Sequence, residues 1–339
     1  MTAILEMQHI NHFFTARRSK LQVLFDVSLT VQPNQTLCLV GESGCGKTTS
    51  GKMLAGLLTP TGGKVLYEGH DVATLEGAER SAYRRAVQIV HQDPYASLNP
   101  VHTVYRTLSF PLFRHGLVHN AEEARVRVTE LLQLVDLTPP GDLIDKFPHQ
   151  LSGGQRQRVS IARALTVNPR VIVADEAVSM VDVSIRISLL NTLNELQKRL
   201  GLTYVFITHD LAVARYFAWE GQIAVMYLGR VIEQGSAPVI TTAPQHPYTR
   251  ALITALPEPD PEITRNKERF TLRSQDIPSL SRVPPGCAFH PRCPLFVPGI
   301  CDMVRPELAP SEAGSVTACH VTARTAMHDE AVRARSVVS

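Results

Sequence analysis

GESGCGKTT, residues 41–49, is the stretch on which the reading turns. It fits G-x-x-x-x-G-K-[ST], and its flanks are those the motif requires: the apolar run TLCLVG (36–41) before it and a helical pattern over 47–57 after it. Gly41, Gly44 and Gly46 let backbone N–H groups curl around phosphates with no Cβ in the way. A helix beginning at Lys47 adds the positive end of its dipole. Lys47 supplies a point charge for the β- and γ-phosphates, and Thr48 offers a hydroxyl to Mg²⁺. Such a loop establishes a nucleotide, not what the nucleotide is for.

Working outward, apolar runs bounded by turns alternate with longer helical patterns, the signature of a βαβ architecture. Strands are expected at 23–31, 36–41, 86–90, 170–175 and 203–210, and helices at 47–57, 153–167, 184–200 and 211–218. The stretch between Pro100 and Phe147 reads as a helical insert with no strand signal. Residues 222–235 read as a hairpin with Gly229 at its turn. After about residue 257 proline and charge rise, which marks a linker into a small C-terminal module; the last dozen residues read as a disordered tail.

The chain has 339 residues, 44% of them hydrophobic, enough for one large domain plus a smaller one. A formal net charge of +3 gives no argument for nucleic acid or an anionic membrane surface. No run approaches the roughly 18 apolar residues that span a bilayer, and MTAILEMQHI lacks the layout of a signal peptide. A cytosolic chain that reaches the membrane only through a partner is therefore expected, with its six cysteines reduced.

Two further stretches narrow the chemistry. RVIVADEA (170–177) is an apolar strand ending in two carboxylates. Asp175 can hold Mg²⁺ and Glu176 can polarise an attacking water, the two duties hydrolysis needs; a strand end with solvated acids would look the same. LSGGQRQRVSIARAL (151–165) is more specific. Ser152 reads as a helix N-cap, Gly153 and Gly154 permit close backbone approach, and an amphipathic helix follows. That makes a second anion-binding helix terminus. One nucleotide does not need two such loops from one chain, whereas two chains facing head to tail would each need one.

With these motifs in hand, the chain resembles an ABC-type ATPase, the nucleotide-binding subunit of an ABC transporter. GESGCGKTT resembles the Walker A motif, LSGGQ the family signature, VIVADE Walker B, HQDPYASLNP (91–100) the Q-loop and ITHD (207–210) the switch. The resemblance implies a P-loop NTPase fold of α/β class: a RecA-like core with an antiparallel β subdomain and a helical subdomain at about 100–165. The ATPase domain would span 1–257, a linker and small C-terminal cysteine-containing domain 258–325, and a tail 326–339. It implies ATP contacts from Gly41, Ser43, Gly44, Cys45, Gly46, Lys47, Thr48 and Thr49, and from Ser152, Gly153, Gly154 and Gln155 of a facing chain. Thr48, Gln92 and Asp175 would hold Mg²⁺, Glu176 would activate water, and His209 would reach the γ-phosphate. Asp182 would carry signals between two sites, and Phe13 would stack on adenine, with Phe14 as its rival. Three positions depart from the family pattern: Ala177 where proline is common, Met180-Val181 within the D-loop, and His91 where an aromatic usually precedes the glutamine. None removes a charged or phosphate-binding group.

VGESGCGKTT, QDPYASLNP, VMYLGRVIEQG and above all PQHPYTRALITALP (244–257) resemble the dipeptide/oligopeptide importer branch, and most of all its second ATPase subunit. That branch implies a second homologous ATPase subunit, two integral-membrane permease subunits and a separate solute-binding protein, at the cytoplasmic face of the inner or plasma membrane. Nickel, glutathione and antimicrobial-peptide importers are related alternatives. Soluble ABC proteins of repair and translation fit poorly, because this chain carries one cassette and a short insert.

Six cysteines divide in two groups. Cys38 and Cys45 read as small space-filling residues. Cys287, Cys293, Cys301 and Cys319, spaced C-x5-C-x7-C-x17-C, read as a metal staple, with His290 and His320 as alternative zinc ligands, or else as incidental thiols. The spacing matches neither zinc ribbons nor ferredoxin runs. The resemblance implies a [4Fe–4S] cluster on these four, with zinc as the alternative.

Overall fold

The structure is a computed structural model that describes residues 2–16, 19–256 and 270–322. The tail at 326–339 and the first part of the linker, with Pro257, lie outside the described residues. The chain opens with β1 (Leu5–Ala16), β2 (Ser19–Val31) and β3 (Thr36–Val40), then α1 (Lys47–Leu54), β4 (Gly62–Tyr67), β5 (His70–Asp71), α2 (Gly77–Ala86) and β6 (Val87–Val90). A helical region follows: α3 (Pro94–Ser97), α4 (Val104–Arg114), α5 (Ala121–Leu134) and α6 (Gly153–Leu165). Next come β7 (Val171–Asp175), α7 (Val183–Leu200), β8 (Thr203–Thr208), α8 (Leu211–Phe217), and the hairpin β9 (Gln222–Tyr227) and β10 (Arg230–Ser236). α9 (Ala237–Thr242), α10 (Pro247–Thr254), β11 (Ala309–Pro310) and β12 (Val316–Thr317) complete it.

Two sheets organise these elements, a four-stranded one in the order β2-β1-β4-β5 and an eight-stranded one in the order β11-β12-β10-β9-β3-β8-β7-β6. The run β9-β3-β8-β7-β6 is parallel, with Cys38 opposite Phe206 and Ile172 opposite Tyr204. Both faces of this sheet are covered. Leu37, Leu39, Val171, Val173, Val205, Ile207 and Met226 pack in one core with the antiparallel sheet and α1. Cys38, Val40, Ile172, Ala174, Tyr204, Phe206 and Val225 pack in the other with the helical region. Burial on both faces is why these strands read as continuous apolar runs rather than alternating ones.

Every strand and helix expected from 36 to 235 is present with ends shifted by a few residues, and the insert is helical as expected. β12 pairs with β10, Glu233 opposite Thr317, so the C-terminal region continues the core sheet. Ala288, Phe289 and Cys293 are buried in the same core as β7 and β8. This packing, not a core of its own, holds the region in place.

Candidate functional site

The carboxyl ends of parallel strands are where ligands bind in open α/β sheets, and four of them converge here. β3 runs into the phosphate loop, β6 into Gln92, β7 into Asp175 and Glu176, and β8 into His209. Glycine is obligatory at two points of the loop. A Cβ on Gly41 would sit 2.2 Å from the Met226 carbonyl oxygen of β9, and Gly46 takes φ 105, with any Cβ 2.6 Å from Leu24. Ser43 and Gly44 are exposed on the loop, and Thr49 is half-buried in the first turn of α1.

Lys47 is buried, its Nζ donating to the carbonyls of Gly41 at 2.7 Å and Glu42 at 3.0 Å. Thr48 Oγ1 donates to Asp175 Oδ1 at 2.9 Å, so the hydroxyl and carboxylate expected around Mg²⁺ already meet. Burial holds the Asp175 carboxyl above its ordinary range, and the Thr48 hydrogen bond opposes that shift. Glu176 has φ 48, in the left-handed region that costs a non-glycine residue about 1 kcal/mol. Its carboxylate accepts from Gln92 Nε2 at 2.8 Å and lies 3.3 Å from His209 Nδ1. Gln92, Glu176 and His209 thus form one hydrogen-bonded group, although 84 residues separate the first two. Behind it, His91 is held below the usual histidine range by burial and by the nearby Arg163 charge.

The signature turn stands apart from this group. Ser152 Oγ accepts from the Gln155 N–H at 3.2 Å, and Gln155 Oε1 accepts from the Ser152 N–H at 3.0 Å, a reciprocal capping box at the start of α6. A Cβ on Gly154 would lie 2.8 Å from Ile185 of α7. Among the described residues no hydrogen bond joins this turn to residues 41–49. Asp182 is exposed ahead of α7 and makes no side-chain capping bond. Phe13 lies on the β1–β2 ladder opposite Gln22, with 38% exposure; Phe14 is edge-on to His12 at 4.7 Å.

Two residues that the motifs did not single out grip the phosphate loop from outside. The Glu42 N–H donates to the Tyr248 hydroxyl at 2.9 Å, and Arg292 Nη1 donates to both Glu42 carboxylate oxygens at 3.1 Å. Tyr248 belongs to PQHPYTRALITALP, the stretch that most resembles the importer branch. Arg292 immediately precedes one of the four cysteines.

All six cysteines are free. Cys38 is fully buried and Cys45 nearly so, in keeping with space-filling roles. The structure gives no support to the metal site expected on Cys287, Cys293, Cys301 and Cys319. Among the described residues no three His, Cys, Asp or Glu side chains converge closely enough to hold a metal ion. Cys293, Cys301 and Cys319 are buried, and Cys293 packs in the core that includes Ala288 and Phe289. Burial pushes Cys287 up to about 12 and Cys293 up to about 11, with the other cysteines of the set adding to both shifts. His290 Nδ1 and His320 Nε2 are each engaged by a backbone carbonyl, of Cys287 at 2.9 Å and Val304 at 2.8 Å.

Comparison with known proteins agrees with this geometry. The family model described as ABC transporter matches residues 24–179, and that of the oligopeptide/dipeptide transporter C-terminal region matches residues 232–301. The oligopeptide transport ATP-binding protein AppF of Bacillus subtilis (strain 168) is 39% identical over 326 residues, 94% of this chain and 97% of AppF. A peptide ABC transporter ATP-binding protein of Sinorhizobium fredii, y4tS, is 45% identical over 301 residues, 89% of this chain and 83% of its own length. Among solved structures, the dimeric post-hydrolysis state of the ATP-binding cassette MJ0796 bound to ADP and Pi superposes with TM-score 0.62 at 29% identity, over 69% of this chain and 98% of that one. The cbiO1 subunit of Clostridium perfringens gives the same TM-score at 27% identity, over 72% and 92%. With relatives of this identity aligned over nearly its whole length, the chain belongs to the ATP-binding subunits of ABC transporters, in their oligopeptide/dipeptide group, and is an ATPase.

Proposed function

We propose that this subunit powers the import of di- or oligopeptides, working at the cytoplasmic face of the membrane beneath two permease subunits. It would pair with a second, different ATPase subunit, and a separate solute-binding protein would deliver the peptide. The observation that carries this reading is the convergence of Gln92 and His209 on Glu176, beside the Thr48–Asp175 pair. The match of the C-terminal region to oligopeptide transporters supports the cargo class.

ATP would lie with its phosphates against residues 41–49 of this chain and the Ser152–Gln155 turn of the facing ATPase. Phe13 would cover the adenine. Lys47, now bonded to the carbonyls of Gly41 and Glu42, would turn its Nζ to the β- and γ-phosphates. Thr48, Gln92 and Asp175 would hold Mg²⁺, which supplies charge neutralisation for the phosphates. Glu176 would orient the attacking water and accept its proton, His209 would steady the γ-phosphate, and Asp182 would report the state of one site to the other. No helix among the described residues is long and apolar enough to cross a membrane, which suits a subunit docked on permease partners.

The decisive experiment is Glu176→Gln in the assembled transporter whose other ATPase subunit has been inactivated. MgATP binding should remain and single-site hydrolysis should fall by at least about 10²-fold; turnover at the native rate would refute the assignment. For the four C-terminal cysteines the reading, carried by their all-thiol composition and not by an assembled site, is a [4Fe–4S] cluster acting as a structural staple. Anaerobic purification with iron, sulfide and zinc analysis tests this, and a colourless protein holding stoichiometric zinc would overturn it.

A further inference from the structure

Glu42, the second residue of the phosphate loop, carries a carboxylate into a loop whose task is to receive a polyanion. Left unpaired there, it would repel the phosphates that Lys47 and the loop amides attract. The structure removes that charge with one residue from the far end of the chain. Arg292 Nη1 donates to both carboxylate oxygens at 3.1 Å, with its side chain only 6% exposed and that of Glu42 24% exposed. The guanidinium is fixed in turn by Tyr227, whose hydroxyl lies 3.4 Å from Nη1, and by the rings of Tyr227 and Phe289 at 5.8 and 5.6 Å. The Glu42 N–H is tied to Tyr248, and its carbonyl to Lys47 Nζ. Every polar group of this residue is therefore held, two of them by segments C-terminal to the cassette motifs.

We infer that Arg292 is a positioning residue for ATP: by neutralising and anchoring the Glu42 carboxylate it keeps the phosphate loop receptive to MgATP. The C-terminal region would then set nucleotide affinity without touching the nucleotide. This rests on the reading that residues 41–49 hold the phosphates.

The test measures MgATP binding to the full chain by displacement of trinitrophenyl-ATP, together with KM and kcat in the assembled transporter. Arg292→Met should raise Kd and KM roughly tenfold, the scale of a uncompensated unit charge near the phosphates, while kcat at saturating MgATP stays near the native value. Arg292→Lys, which keeps the charge, should bind close to native. The distinguishing result is rescue: Glu42→Gln combined with Arg292→Met should restore affinity, because no carboxylate is left to neutralise. A purely structural role predicts no rescue, so an equally weak double variant overturns the inference, as does native affinity in Arg292→Met. Should Arg292→Met fail to fold, Arg292→Gln takes its place with the same expectations. Lys47→Ala serves as the control on the underlying reading. If it binds MgATP normally, the loop assignment itself fails; if it loses binding while Arg292→Met does not, only the role of Arg292 fails.

Discussion

His246 is 1% exposed, with its ring 5.7 Å from Phe289 and its Nδ1 accepting the Tyr248 N–H at the start of α10. Burial pulls it down to about 3, so the folded protein keeps it neutral where the unfolded chain, titrating near 6.5, binds a proton. Between those two values the unfolded state holds one more proton, so the stability this group permits is intact above about pH 6.5 and is lost as pH falls towards 3. His246→Asn keeps a capping acceptor without the titration. Its unfolding free energy from urea titration should fall less than the native one between pH 6 and pH 4.5, by up to about 1.4 kcal/mol per pH unit. Equal pH dependence of the two proteins would show that His246 is not the group responsible. Such roles were hidden in the sequence. Lys47, Thr48, Asp175 and Glu176 are legible because phosphate, Mg²⁺ and water dictate residue type and spacing. Tyr248 and Arg292 act through contacts spanning 206 and 250 residues, which no local pattern encodes.

At the level of elements, legibility followed the periodicity of the chain. The central parallel strands β3, β7 and β8 announced themselves because burial on both faces makes their cores nearly unbroken apolar runs. β1 did not, since its pairing with β2 shifts register between Met7 and Ile10, between Ile10 and His12, and between His12 and Phe13, and each shift breaks the two-residue alternation. α10 was missed as a helix because Pro247 reads as a turn signal, although at the first helical position it is pre-organised for one. The N-terminus of α6 was legible for the opposite reason, as Ser152 and Gln155 sit at the spacing of a capping box. Ser152→Ala should cost about 1 kcal/mol in urea unfolding of the nucleotide-free chain. It should also lower hydrolysis in the assembled transporter by more than that loss of stability explains. A stability loss alone, with native turnover, would confine Ser152 to capping.

On the scale of the whole molecule, the C-terminal region looks from sequence like an appendage, because proline and charge rise before it and regular periodicity fades. That pattern hides its packing: β12 adds to the core sheet through β10, and the buried Glu233 carboxylate accepts from the Gln245 and His246 N–H groups at 2.6 and 3.0 Å. Phe289, 1% exposed, meets Tyr227 of β9 at 5.3 Å and Tyr248 of α10 at 5.5 Å, joining the cysteine-bearing segment to the strand beside β3. If this packing makes one cooperative unit, damage at Phe289 must be felt across the sheet. The chain offers a reporter, because its single tryptophan, Trp219, lies between α8 and β9, outside the C-terminal region. Phe289→Ala should destabilise the Trp219-monitored urea transition by about 3–5 kcal/mol, the range for deleting a buried phenyl ring. The transition should also remain single and coincide with the one followed by circular dichroism. An appended domain would behave differently: Trp219 fluorescence would unfold at the native midpoint, and only part of the dichroism signal would be lost early.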